Sequence, residues 1–147
     1  MVIQLVLGFF LAYFLSRVGT PMAREAALRF GVVDAPDGKL KNHSTPVAYL
    51  GGLAVFTAFL LSLGMTFDFD HELLALLLAS TIVTAVGLID DFGVLTPKPK
   101  VIGQVVAIFV LLKAGVILQL VFLPWWARYL ITIVWLVGMS NAFNLLD

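Results

Sequence analysis

Cysteine is absent from the 147 residues. That excludes a disulfide framework and thiolate metal ligands, and it leaves the redox compartment open. Charge is almost as scarce. Asp, Glu, Lys and Arg make up 12% of the chain, nine acids against nine bases, whereas soluble domains run near one quarter charged, about 25%. No nucleic-acid partner is expected of a chain so poor in charge and neutral overall. Internal repeats and low-complexity tracts are missing too. What is abundant is apolar: 61% of residues, with a mean hydropathy of +1.06. The chain reads as all-α, a polytopic integral membrane helical bundle.

Apolar runs recur at 1–16, 47–67, 73–89, 101–112 and 129–142, most of them near the roughly 20 residues needed to cross a bilayer. Five transmembrane helices are predicted. The fourth covers about 97–114, with Thr96, Pro97 and Pro99 opening it and Lys113 with Gly115 closing it. The first run is followed, not preceded, by its first positive charge, Arg17, so it reads as an anchor with its N-terminus outside rather than as a signal peptide. Within 17–41, Thr20 as N-cap, Pro21 at the first helical position and Gly31 as a stop predict a short helix; a surface helix and a solvated linker stand equally open there. The stretch 116–123, VILQLVFL, fits either an extended segment or a continuation of the fourth span.

Loops after odd-numbered spans hold Arg17, Arg24, Arg29, Lys39, Lys41, Lys98 and Lys100, seven of the nine bases. The positive-inside rule puts those loops in the cytoplasm. The acidic turn 67–72 and the paired Trp125 and Trp126 then face outward. Three polar stretches remain, all at predicted cytoplasmic ends: KNHSTPVAYLGG (41–52), DDFGVLTPKPKVIGQ (90–104) and NAFNLLD (141–147). Each has an ordinary explanation. Gly51 and Gly52 suit a close helix contact, His43 is a polar residue at an interface, and Asn141 with Asn144 suits interhelical hydrogen bonding.

Asp90 and Asp91 resist such an explanation. Ionised carboxylates cost on the order of 2.5–3.5 kcal/mol each at a membrane helix centre and less at its end, and side by side they repel. A hard divalent ion such as magnesium resolves both problems, since it takes oxygen ligands and keeps phosphate among them. Lys41, Lys98 and Lys100 would attract phosphates to the same face. Metal, phosphate and membrane together point to phosphoryl transfer to or from a lipid.

At these motifs the chain resembles the polyprenyl-phosphate N-acetylhexosamine-1-phosphate transferases (glycosyl transferase family 4). The pattern K-x-H-x-x-P-x-P-x-x-G-G is met by Lys41, His43, Pro46, Gly51 and Gly52, with Ala48 in place of its second proline. D-D-x-x-x-L-x-P-x-x-K-x-x-x-Q is met by Asp90, Asp91, Leu95, Pro97, Lys100 and Gln104, and N-A-x-N-L-x-D by Asn141, Ala142, Asn144, Leu145 and Asp147. Gly31, Asp34 and Pro36 resemble the family's G-x-x-D-x-P. His43 and NAFNLLD look like the O-antigen and teichoic-acid branch, favouring UDP-N-acetylglucosamine among UDP-N-acetylhexosamines.

The resemblance implies transfer of a sugar-1-phosphate from a UDP-sugar to a polyprenyl phosphate such as undecaprenyl phosphate, releasing UMP and initiating cell-envelope polysaccharide synthesis at the bacterial inner membrane. By the same resemblance Asp90, Asp91 and Lys100 are catalytic. Asp90, Asp91 and Asp147 hold magnesium, with manganese as a substitute, and Lys41, His43, Asn141, Asn144 and Asp147 bind substrate. Gly51 and Gly52 are expected to let helices approach closely. The family pattern continues past the Asp matched by Asp147, so residues 1–147 are expected to be the N-terminal portion of a transferase domain, the front half of a larger bundle. By itself that portion should be inactive and open to homo-oligomerisation. The alternatives are a non-catalytic membrane fragment, another magnesium-dependent prenyl-diphosphate enzyme, and half of an ion-coupled transporter, whose carboxylates lie nearer the midplane than these.

Overall fold

The computed structural model describes residues 2–34, 47–93 and 95–146. Five helices carry almost all the regular structure among them: α1 (Val2–Phe30), α2 (Gly51–Thr66), α3 (His71–Asp91), α4 (Pro97–Lys113) and α5 (Trp125–Leu146). The fold is all-α. α1 and α3 are long and apolar enough to cross a bilayer, and α2 is a shorter apolar helix. The most apolar windows of α1 and α3 are only 6% and 11% buried. Core helices of a soluble protein would be mostly covered, so these faces belong against lipid or other protein. Several hydroxyls in the apolar helices are satisfied within their own helix: Thr57 bonds the Leu53 carbonyl, Thr81 that of Leu77 and Thr132 that of Arg128.

The chain divides into two units, Met1–Asp68 and Phe69–Asp147. In the first, α1 and α2 pack antiparallel. They approach closely at Gly8, whose carbonyl accepts a 2.5 Å hydrogen bond from the buried Ser62 hydroxyl. A Cβ at Gly8 would stand 3.2 Å from Thr66 Oγ1, which is how a small residue lets membrane helices touch.

α1 departs from the sequence prediction. No separate helix begins at Thr20; one helix of 29 residues runs through Pro21. Proline loses its own bond to the carbonyl four residues back and its ring crowds that carbonyl, a local cost, and α2 lies alongside, with Gly19 facing Ala54. At 1.5 Å per residue the helix is ~44 Å long, beyond the ~30 Å hydrocarbon core, so it is longer than a perpendicular span requires. The stop at Gly31 is as predicted. Its φ is +69°, and the Val32 N–H reaches back to the Ala27 carbonyl at 2.8 Å, a Schellman closure. Just beyond, β1 (Val33–Asp34) pairs antiparallel with β2 (Val47–Ala48), Val33 opposite Ala48 and Asp34 opposite Val47. Two-residue strands show no alternation to read.

The glycine pair at the head of α2 also departs from expectation. A Cβ at Gly51 or Gly52 would meet nothing within 4 Å among the described residues. The glycines at close helix contacts are Gly8 and Gly103 instead.

In the second unit α3 packs on α4, and α4 on α5. Asp70 caps α3 by accepting from the Leu73 N–H at 2.7 Å. α4 begins at Pro97 and ends at Lys113, as predicted, and Gly115 at φ +85° closes it with the Val116 N–H on the Leu111 carbonyl at 3.0 Å. Residues 116–120 do not continue the helix. They run irregularly along α5, tied down by the Leu118 N–H to Thr132 Oγ1 at 3.0 Å. α4 buries a stripe of Gln104, Ala107 and Ile108, which with Lys100 and Gly103 follows the i, i+3, i+4, i+7, i+8 spacing of one helix face.

Candidate functional site

Asp90 and Asp91 are the last two residues of α3. Gly93, at φ +68° with its N–H on the Asp90 carbonyl at 2.8 Å, turns the chain out of that helix. Three residues on, Thr96 precedes Pro97 at the first position of α4, and the fixed proline φ starts a helix that needs no side-chain cap. The short turn brings the first turn of α4 beside the last turn of α3, so Lys100 faces Asp90.

The Lys100 ammonium donates to Asp90 Oδ2 at 2.5 Å and to Asn144 Oδ1 at 2.6 Å. One cation thereby joins three helices at a single end of the unit. The ion pair is half-buried, with 19% of the lysine and 24% of the aspartate side chain exposed. One helical turn deeper a second bridge runs from α4 to α5. Asn141 Nδ2 donates to Gln104 Oε1 at 3.0 Å, and Gln104 Nε2 returns to Asn141 Oδ1 at 3.4 Å. Asn141 Nδ2 also donates to the Val137 carbonyl at 2.8 Å. Gly103 lies between these layers, against Val86 of α3.

Asp90, Lys100, Asn141 and Asn144 are therefore brought together at this end of α3, α4 and α5, and Asp91 stands beside Asp90 at the helix end. Lys41, His43 and Asp147 lie outside the described residues. Gln104 enters the sequence reading only as a pattern match and Gly103 not at all. The signal for Gln104 was available: a long amide inside an apolar run, one turn from Lys100. Among the described residues no group of three or more His, Cys, Asp or Glu could enclose a metal. The donors present are hard oxygens, two adjacent carboxylates and an amide carbonyl, and Asp90 with Asn144 already gathers around a positive charge. That donor set fits a magnesium ion that draws its remaining ligands from phosphate and water. Chemically, the arrangement can pair a hard cation with carboxylates and an anionic oxygen with Lys100, on a face where Asp91, Asn141 and Asn144 are exposed.

An apolar helical scaffold with acid, base and amide gathered at one end fits an all-α membrane protein. Residues 73–147 match the family model described as glycosyl transferase family 4, and the chain belongs to that family. Over 99% of its length it is 26% identical to the probable undecaprenyl-phosphate N-acetylglucosaminyl 1-phosphate transferase of Bacillus subtilis, covering 43% of that protein. Over 97% it is 30% identical to the phospho-N-acetylmuramoyl-pentapeptide-transferase of Nautilia profundicola, covering 47%. Over 98% it is 29% identical to the decaprenyl-phosphate N-acetylglucosaminephosphotransferase of Mycobacterium tuberculosis, covering 40%. The chain thus spans less than half the length of these curated relatives. No solved structure matches it.

Proposed function

We propose that this chain supplies part of the site of a transferase that moves N-acetylhexosamine-1-phosphate, most simply N-acetylglucosamine-1-phosphate, from a UDP-sugar to a polyprenyl phosphate. The observation that carries the reading is the Lys100 ammonium held between Asp90 and Asn144 at the end of three helices. The names of the relatives, which describe prenyl-phosphate acceptors and N-acetylglucosaminyl or N-acetylmuramoyl-pentapeptide donors, support it.

The lipid phosphate oxygen attacks the β-phosphorus of the UDP-sugar. The bond between that phosphorus and the oxygen bridging to the α-phosphate breaks, and UMP leaves. One phosphoanhydride replaces another, so the protein's task is alignment and charge stabilisation rather than bond chemistry of its own. A phosphate monoester has its second pKa near ~6 and is largely dianionic at neutral pH, so no strong general base is required. Lys100 neutralises phosphate oxygens, and Asn144 holds its ammonium toward α5. Asp90 and Asp91 would hold magnesium, which when bound supplies charge neutralisation to the diphosphate. The seven-to-two distribution of bases supports placing this end of the helices in the cytoplasm, at an inner membrane where UDP-sugars are available.

The test is UMP release by the protein expressed from its complete reading frame, in membranes supplied with UDP-N-acetylglucosamine, undecaprenyl phosphate and magnesium. Lys100→Gln and Asp90→Asn should each reduce turnover at least ~100-fold, the loss of several kcal/mol of charge stabilisation. Near-normal turnover in both variants refutes the assignment.

A further inference from the structure

We infer that Gln104 is a positioning residue: its amide pair with Asn141 sets the register of α5 against α4 that places the Asn144 carbonyl on the Lys100 ammonium. The inference rests on the proposed role of Lys100.

Both halves of the argument are geometric. On α4, Lys100 and Gln104 are four residues apart and share a face; on α5, Asn141 and Asn144 are three apart and share a face. The two bridges, Lys100 to Asn144 and Gln104 to Asn141, are therefore stacked one helical turn apart between the same two helices. They differ in what they can specify. A lysine ammonium on four rotatable bonds can donate to an oxygen in many directions and tolerates displacement of its partner. Two planar amides that exchange donor and acceptor in both directions require a particular height and rotation of one helix on the other. Slipping α5 by one residue moves each side chain ~1.5 Å along the axis and ~100° around it, which ends the exchange.

Burial makes the requirement stringent. Gln104 is 5% exposed, one of the few buried polar residues among those described, and a buried amide without its partner carries the full cost of desolvation. Asn141 is committed as well, because Nδ2 also holds the Val137 carbonyl of its own helix and Oδ1 receives Gln104 Nε2. Its side chain is fixed to α5 and aimed at α4. Asn144 then arrives at Lys100 as a consequence of the pair below it. Asn141, expected from the family pattern to bind substrate, acts in this account through Gln104 and Lys100.

The experiment compares kcat and KM, per mole of folded protein from the complete reading frame, for Gln104→Ala, for the exchange Gln104→Asn with Asn141→Gln, and for Gln104→Ala combined with Lys100→Ala. Gln104→Ala should lower kcat about tenfold while leaving KM for the UDP-sugar within about twofold, as displacement of a catalytic group does. The exchange keeps the summed length of the two amides and should recover most of that loss. In the Lys100→Ala background, Gln104→Ala should change the residual turnover by less than about twofold, because the two residues act as one unit. Three outcomes overturn the inference: wild-type kcat in Gln104→Ala, a lower melting temperature with unchanged kcat per folded molecule, or an equal tenfold loss in the Lys100→Ala background. If Lys100→Ala itself leaves kcat unchanged, the proposed function falls first. If Lys100→Ala disables the enzyme and Gln104→Ala does not, the positioning role alone is refuted.

Discussion

Replacing Gly103 by alanine tests whether the close approach of α3 and α4 holds Lys100 in place. A Cβ at that position would stand 2.5 Å from Val86 Cγ2, with Val86 Cβ and Cγ1 both at 3.5 Å. Rotating the valine cannot clear the space, because its other atoms already border it and a β-branched side chain has few χ1 choices. Since ordinary carbon contacts begin near ~3.5 Å, α4 must withdraw from α3 by about 1 Å. Lys100 is less than one turn away, and its 2.5 Å contact with Asp90 would stretch beyond hydrogen-bonding range unless the side chain follows. Overpacking of this kind costs ~1–3 kcal/mol of stability, and a misplacement of ~1 Å at a reacting centre can cost ~100-fold in rate. Part of the shift is absorbed by the flexible lysine, so kcat for UMP release should fall ~10-fold. Val86→Ala removes the opposing atoms, and the double variant should return to within ~3-fold of the parent. Wild-type kcat in Gly103→Ala, or failure of Val86→Ala to rescue it, refutes the claim that this contact sets the lysine.

Asp91→Asn should raise the magnesium concentration needed for half-maximal UMP release by ~10-fold or more, and an unchanged magnesium curve would remove Asp91 from the ligand set. A cysteine introduced at Lys98 should resist a membrane-impermeant thiol reagent in intact cells while one at Asp70 reacts; the reverse pattern inverts the topology. In the first unit, Ser62→Ala deletes the hydroxyl that bonds the Gly8 carbonyl and should lower thermal stability by ~0.5–1.5 kcal/mol. Gly8→Leu, which must displace Thr66 and Phe67, should cost more than Ser62→Ala in the same melting experiment, and a neutral Gly8→Leu would show that α1 and α2 separate without penalty.

Legibility in the sequence followed the range of the signal. α3 and α4 were readable to within about two residues: the apolar run 73–89 marked α3, and the ends of α4 are written locally, with Pro97 at the first position and Gly115 as the stop. α1 was misread because the local rule for Pro21 was applied without the neighbouring helix, and a helix already packed along its length tolerates one missing bond. Gly51 and Gly52 show the same limit from the other side. Small residues permit close contact but do not specify it, and the contacts formed at Gly8 and Gly103 depend on what faces them, Ser62 with Thr66 in one case and Val86 in the other. The β1–β2 pair is set by tertiary placement, because two residues carry no period.

The site itself was half legible, and the division has a physical cause. Asp90, Asp91 and Lys100 were conspicuous because isolated charge beside hydrocarbon is costly and therefore needs a reason. Gln104 and Asn141 gave no such signal, since an amide in an apolar helix is compatible with helix adhesion as readily as with chemistry. The structure shows why the two readings merge here. The face of α4 that carries Lys100 also carries Gly103 and Gln104, so the residue that touches phosphate in the proposed reaction and the residues that fix its helix occupy successive turns of one stripe. Between apolar helices, where Leu against Leu is no better than Leu against lipid, register must come from such small and polar residues. If the proposed reaction holds, the residues that bind α4 to α5 form the layer next to the reacting groups, and a single sequence separates the two roles only when the partner across 37 positions, Asn141 for Gln104, is known.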